Sequence, residues 1–470
     1  MNILMYTHNL DKKNGGVTFA LKRRAEVLSS LGYRVDIITH GFSVNQQLEV
    51  NNYNVINMFD YYSKKQGQKV EIESIFYKDE IAYRDVKSKK EAYRIFSEGE
   101  YKQYRQYENG QIVSIDLFVL PWKRTKKYIF KDGKIVKVFY INSDNRPKLA
   151  KYINNENCYI TSVVNPNTWK DSTFYNHTNV TELKIFDFKL EFLKLHIEKA
   201  KIDTVFIDKR EDVELFLEIK HYFPKIKLIF VLHNNHYEDY ILGKGLHKTL
   251  HPLFDNINQF HRIIILTEEQ REKIISEFGY DNKFSVVSNI INYENLENSA
   301  TSRKNFIAIG RYEPVKNMKE IIEVFDLVAK SLPDVRLDLY GYGKEKRELL
   351  ALAKGKNIGI HDFISNPKVL MQKSSAFLLL SKYEGQPLVL LECYDAQCPV
   401  FAYDVAFGVK DIITNYENGL IISNRDKFEM AESIIDYIDE EYDFSFSYKC
   451  SEVFSKEKYI YQLRSIFNEK

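Results

Sequence analysis

The chain has 470 residues, 44% of them hydrophobic, and its 67 Lys+Arg against 65 Asp+Glu leave a net charge of +2. That length fits two or three domains of about 100–200 residues each, and the apolar fraction excludes wholesale disorder. The near balance of charge excludes a dedicated nucleic-acid binder, which carries a strongly basic face.

The first segment reads strand–turn–helix–strand. Residues 3–6 form a short apolar strand, Asn14-Gly15-Gly16 a turn, and 17–31 a helix closed by Gly32, with a second strand over 33–39. Such a unit points to a doubly wound parallel sheet. From about residue 70 to 180 the pattern changes. Asn109-Gly110 and Asp132-Gly133 are each followed by Gln or Lys and then Ile-Val, 23 residues apart. Both predict type I′ hairpin turns, because the two central residues need positive φ. Repeated hairpins imply an antiparallel β module inserted in the first α/β domain. Its aromatic strands suit either a binding or oligomer face or an ordinary core.

The α/β rhythm then resumes with strands at 204–207, 227–232, 262–266 and 284–287, and helices at 211–220 and from Thr267 or Glu268. A polar stretch, 292–304, reads as a linker. A second α/β domain follows, with strands at 306–309, 335–340, 358–363, 376–380, 400–403 and 420–422, a helix at 318–330 and a terminal helix over 452–468. The expected division is 1–74 with 181–295, an insertion 75–180, a second domain 304–451 and the terminal helix 452–470. Two α/β domains enclose a cleft, the usual place for a ligand.

Cys158, Cys393, Cys398 and Cys450 are too few for a disulfide framework and lack zinc spacing, so reduced thiols are expected. The N-terminus shows no signal-peptide pattern and no apolar run reaches the ~20 residues of a membrane span. A cytoplasmic location is expected.

Chemistry concentrates in the second domain. Glu384 follows the buried strand and Glu392 lies eight residues on, in a helix expected to open at Pro387. A helix N-terminus at the carboxyl end of a strand suits an anion or sugar. Two carboxylates there can accept hydrogen bonds from sugar and ribose hydroxyls, or simply complement the helix dipole and face solvent.

Ser381 through Glu392 resembles the Glu-x7-Glu signature of family 4 retaining glycosyltransferases. Cys398-Pro399-Val400, Tyr403-Asp404, Gly408 and Asn418-Gly419 follow at that family's spacing, Gly310 to Asn317 is similar to its G-R-x-x-x-x-K-x segment, and Asn14-Gly15-Gly16 to its N-terminal glycine loop. The inserted module is similar to the one in the subfamily that glycosylates wall teichoic acid, the poly(ribitol phosphate) α-N-acetylglucosaminyl- and poly(glycerol phosphate) α-glucosyltransferases. It is also similar to that of the subunit that glycosylates serine-rich adhesins.

The resemblance implies a GT-B fold: two Rossmann-like domains facing a cleft, with an antiparallel insertion in the N-terminal one. It implies transfer of glucose or N-acetylglucosamine from a UDP-sugar to a polyol-phosphate polymer with α linkage, with protein O-glycosylation or a non-catalytic partner subunit as alternatives. Arg311 and Lys316 would grip the diphosphate in place of a metal, since the chain has no Asp-x-Asp, and no cofactor is expected. Glu384 would bind donor-sugar hydroxyls and Glu392 the ribose, with Gly16, Gly385, Gln386, Pro387 and Leu388 beside them. His233 would line the reaction centre, with His236 competing; a metal held by the two is the other use of that spacing. Gly341 and Gly343 form a strand–helix turn near the nucleotide, more structural than catalytic. Pro387 departs from the family pattern and leaves the donor sugar open. The insertion implies a homo-oligomer, a trimer in one relative, and the enzyme class allows peripheral contact with the inner membrane face. Lys87, Lys89, Lys90, Lys123, Arg124, Lys126 and Lys127 offer cations for a polyphosphate, or a solvated β surface.

Overall fold

A computed structural model describes residues 1–10, 15–44, 52–65, 67–71, 75–176, 181–290, 303–446 and 454–467. Asn14 of the glycine turn, most of the 292–304 linker, Cys450 and the expected start of the terminal helix at Glu452 lie outside these.

Two parallel sheets organise the molecule. The N-terminal sheet runs, edge to edge, Asn54–Asn57, Arg34–Thr39, Asn2–Thr7, Thr204–Ile207, Lys227–Leu232, Arg262–Ile265 and Phe284–Val286. The C-terminal sheet runs Ile358–His361, Arg336–Tyr340, Asn305–Ile309, Ala376–Leu379, Val400–Tyr403 and Gly419–Ile422. Both follow the doubly wound order in which the third, second and first strands are followed by the fourth onward. The chain therefore reverses direction across each sheet between its first and fourth strands, and ligands bind in the crevice outside that point. Central strands such as Thr204–Ile207 and Ala376–Leu379 are buried at every residue, as sheets covered on both faces require.

Between the third and fourth strands of the N-terminal sheet lies an 11-stranded antiparallel sheet, a meander whose hairpins follow the sequence. Asn109-Gly110 (φ 51° and 74°) and Asp132-Gly133 (φ 50° and 73°) make the turns read from sequence. Glu98-Gly99 and Asn155-Glu156 repeat the same pair of positive φ values without an Asn-Gly or Asp-Gly signature.

The insertion is less separate than its sequence suggests. Tyr152, Tyr159, Ile160 and Phe174 share one core with Leu4, Tyr6 and Ile38 of the parallel sheet and with Phe188 and Phe192 of the helix Ile185–Ala200. Stacked rings, Phe59 on Tyr152 and Phe174 on Phe188, each at 4.6 Å, seal the contact. The middle strands of the insertion hold a small core of their own, around Ile115, Tyr128 and Val138. The basic stretch is only partly free. Asp116 accepts from Arg124 at 2.9 Å and from Lys127 at 3.1 Å, and Lys126 lies half-buried, while Lys87, Lys89, Lys90 and Lys123 are exposed.

Some boundaries differ from the sequence reading. The helix expected at 211–220 starts as a single turn, Arg210–Asp212, and continues as Val213–Tyr222. Pro387 is the cap before the helix Leu388–Asp395 rather than its first residue. The terminal helix Lys456–Phe467 leaves the second domain and packs Tyr459, Leu463 and Ile466 into the core beneath the N-terminal sheet. Cys158, Cys393 and Cys398 are buried thiols. No helix among the described residues is long and apolar enough to cross a membrane.

Candidate active site

The two sheets point their carboxyl ends at each other across a cavity of about 410 Å³. A larger concavity of about 750 Å³ on the insertion, lined by Phe96, Tyr101, Tyr104 and Phe118, holds neither the Gly15-Gly16 turn nor the Gly385 turn and has a single cation, Arg94. The chemistry therefore belongs to the cleft.

On the C-terminal side, Gly310 and Arg311 leave the first strand at the reversal point, and a single turn, Pro314–Lys316, carries Lys316 back over it. Glu384 leaves the fourth strand, and its Oε1 receives Lys316 Nζ at 2.6 Å while Arg311 is exposed to the cavity. Glu392 sits one helical turn into Leu388–Asp395 and lines the same wall. Burial pushes its carboxyl up to about 7, against a partial offset from Lys368. Gly341 and Gly343 are packing residues. A Cβ on Gly341 would fall 1.9 Å from the carbonyl oxygen of Gly310, and one on Gly343 2.4 Å from that of Tyr312. Only Gly can let these strand ends meet.

On the N-terminal side, Gly15 caps the helix Gly16–Ser30 without a side-chain hydrogen bond. A Cβ on Gly16 would meet Leu388 Cδ1 at 3.3 Å. Two helix N-termini, one from each domain, thus converge on the cleft, and their unpaired N–H groups and dipoles favour an anion there. Pro387 itself donates nothing.

The domains touch most tightly at the Gly385 turn. A Cβ on Gly385 would lie 2.1 Å from His233 O, and one on Gly408 2.3 Å from Gly385 O. Next to it, Gln386 staples the domains: its Oε1 accepts from Asn289 N at 2.6 Å and its Nε2 donates to Leu266 O at 3.3 Å. Gln386 lines the cleft as expected, but its side-chain amide is used for this interdomain contact.

His233 follows the strand Lys227–Leu232 and lines the cavity. His236 does not. It is fully buried, 4.0 Å from the Tyr237 ring and stacked on Phe407, with Nδ1 3.4 Å from Gln270 Nε2. Burial, then Arg210, pushes it down to about 4. Among the described residues no group of His, Cys, Asp or Glu assembles as a metal site. Sequence reasoning missed Asp208, which follows the strand Thr204–Ile207 and receives His233 Nε2 at 2.7 Å. A lone acidic residue just past a buried strand was the available signal.

Residues 291–456 match the family model Glycosyl transferases group 1. The chain carries a group 1 glycosyl transferase domain. That glycosyl transferase domain contributes Arg311, Lys316, Glu384 and Glu392 to the cleft. Over 460 residues, 93% of this chain and 92% of the relative, the sequence is 25% identical to poly(ribitol-phosphate) alpha-N-acetylglucosaminyltransferase of Staphylococcus aureus. It is 24% identical, over 97% of each chain, to the GtfA subunit of the UDP-N-acetylglucosamine–peptide N-acetylglucosaminyltransferase of Streptococcus parasanguinis. A crystal structure of an S. aureus TarM mutant with fondaparinux, alpha-GlcNAc-glycerol and UDP superimposes with a TM-score of 0.81 at 22% identity, covering all of both chains. The fold is GT-B, with the antiparallel insertion in its first domain.

Proposed function

We propose that this chain is a retaining glycosyltransferase that moves glucose or N-acetylglucosamine from a UDP-sugar to a polyol-phosphate chain of wall teichoic acid, with α linkage and without a metal. One observation carries it. Arg311 and Lys316 from the end of one strand, Glu384 from the end of another and Glu392 from the helix after it gather between two opposed helix N-termini, in a chain similar over nearly its whole length to a poly(ribitol-phosphate) glycosyltransferase.

As the sugar's anomeric bond to oxygen breaks, negative charge grows on the departing diphosphate. Arg311 and Lys316 neutralise it, and the N–H groups beside Gly16 and Leu388 add fixed dipoles. Glu384 accepts from donor-sugar hydroxyls, Gly385 lets the backbone close over the donor, and Glu392 accepts from the ribose. His233 stands at the reaction centre, between donor and acceptor domains. A phosphate-bearing acceptor suits the exposed end of the N-terminal sheet. There Lys189, Lys209 and His8 lie near His40, whose imidazole is pushed down to about 2, first by burial and then by these charges.

The assay is UDP release from UDP-glucose and UDP-N-acetylglucosamine with poly(ribitol phosphate), poly(glycerol phosphate) or a serine-rich peptide as acceptor. Polymer-dependent release that persists in EDTA is expected. Release with the peptide alone moves the chain to the protein-glycosylating reading, which its similarity to GtfA favours. Silence with every pair makes it a non-catalytic partner subunit. We also propose a homo-oligomer, a trimer, joined through the insertion, whose hairpin end exposes Val119, Leu120 and Trp122. Light scattering of the same preparation at monomer mass overturns that.

Glu392 gives a pH signature with two opposite slopes. Its folded pKa lies above its unfolded value, so its contribution to stability falls as pH rises from the ordinary carboxylate range through about 7. Ribose hydroxyls need the ionised carboxylate, so affinity for a UDP-sugar should rise over that same interval. Calorimetric titration across it should show the rise in wild type and a flat profile in Glu392→Gln. A rise that survives the substitution removes Glu392 from the ribose site.

A further inference from the structure

His233 is held from behind. Its Nε2 lies 2.7 Å from Asp208 Oδ1, and the same oxygen accepts from Arg24 Nη2 on the helix Gly16–Ser30. The Asp208 and Arg24 side chains are 1% and 4% exposed. The guanidinium rests on the Phe206 ring at 5.0 Å, and Tyr459 of the terminal helix is buried beside the pair. Burial opposes ionisation of Asp208, but the Arg24 charge and the His233 hydrogen bond outweigh it, so the carboxyl titrates below its ordinary value.

A carboxylate only accepts, so Nε2 must carry a proton, and in the neutral ring Nδ1 is then an unprotonated acceptor. If the only task were to pin the helix to the sheet, an apolar pair would serve as well without burying charge. This pair instead touches His233, the one histidine that lines the cleft among the described residues. We propose that Asp208, locked by Arg24, is a positioning residue that fixes His233 in its Nε2–H tautomer and one ring orientation, leaving Nδ1 to accept from a substrate hydroxyl. The proposal rests on the glycosyltransferase reading for its kinetic consequence but not for its geometry.

Two readouts test it. Nitrogen-15 NMR of histidine-labelled protein, assigned against His233→Ala, should show His233 protonated at Nε2 in the wild type. Removing either charge alone would strand the other in the interior, so the variant is the apolar pair Arg24→Met/Asp208→Leu. It should lose the fixed tautomer and about 10–100-fold in kcat, the usual loss when a supporting partner is removed, with KM for the UDP-sugar little changed. In a His233→Ala background the same pair should cost nothing further, because Asp208 acts only through the ring. A His233 tautomer unchanged by the pair, or losses that multiply across the two backgrounds, overturns the proposal. If Arg24→Met/Asp208→Leu fails to fold, the neutral polar pair Arg24→Gln/Asp208→Ser carries both readouts. If the wild type releases no UDP, the functional reading fails, and the tautomer alone decides the role of Asp208.

Discussion

Lys316→Ala should lower kcat for UDP release by roughly 10²–10³-fold, the loss typical of removing one group that stabilises a developing oxyanion. Lys316 Nζ is held 2.6 Å from Glu384 Oε1, a short swing from the space between the two helix N-termini. An ammonium there meets charge that exists only as the sugar–oxygen bond breaks, so the effect falls on kcat more than on donor KM. The substitution also leaves Glu384 without its cation, and Lys316→Arg separates the two roles. It keeps the charge and the pairing while changing the reach, and should recover part of the rate. Steady-state kinetics decide it: wild-type kcat in Lys316→Ala removes the residue from the leaving-group site.

Gly385→Ala should be nearly as damaging, for a different reason. The added methyl would sit 2.1 Å from the carbonyl oxygen of His233, a distance no real contact tolerates. Gly408 closes the other side, so the turn cannot retreat. The domains must part there, and Gln386 loses its grip on Asn289 and Leu266. A misplacement of about 1 Å at the reacting centre lowers turnover about 10²-fold. Because the clash lies between domains and outside either core, thermal unfolding should move little. Small-angle scattering should report a wider cleft. Full activity with an unchanged cleft would show that the two backbones do not approach in the working enzyme.

How much of this was legible beforehand follows the range of the interactions. Asn109-Gly110 and Asp132-Gly133 announced their hairpins because a type I′ turn is set by its own two residues. Asn155-Glu156 makes the same turn with poorer turn chemistry, under the constraint of its flanking strands, and local sequence does not show it. Arg311, Lys316, Glu384 and Glu392, which the family resemblance singled out within one domain, line one cleft. Gln386 was read as a donor ligand, because its partners Leu266 and Asn289 lie in the other domain. The choice between His233 and His236 needed the packing of Tyr237 and Phe407, and Asp208 needed the register that sets its strand beside the one ending at His233. The helix Ile185–Ala200 went unread, because its aromatic residues serve the insertion and the parallel sheet together and blur the amphipathic period.

The same shared core bears on how the insertion is studied. Excising it would remove Tyr152, Tyr159 and Phe174 from the interior of the first domain. Surface substitutions at Val119 or Trp122 probe assembly without that damage.

The terminal helix makes the second α/β body a guest within the first. The polypeptide leaves the first core after Ile290, builds the second, and re-enters the first between Phe454 and Tyr459. Both ends of the described chain are thus anchored in one body, and the other hangs from two crossings. Tying both ends of the second body to the first limits how far the two walls of the cleft can separate while the chain is intact.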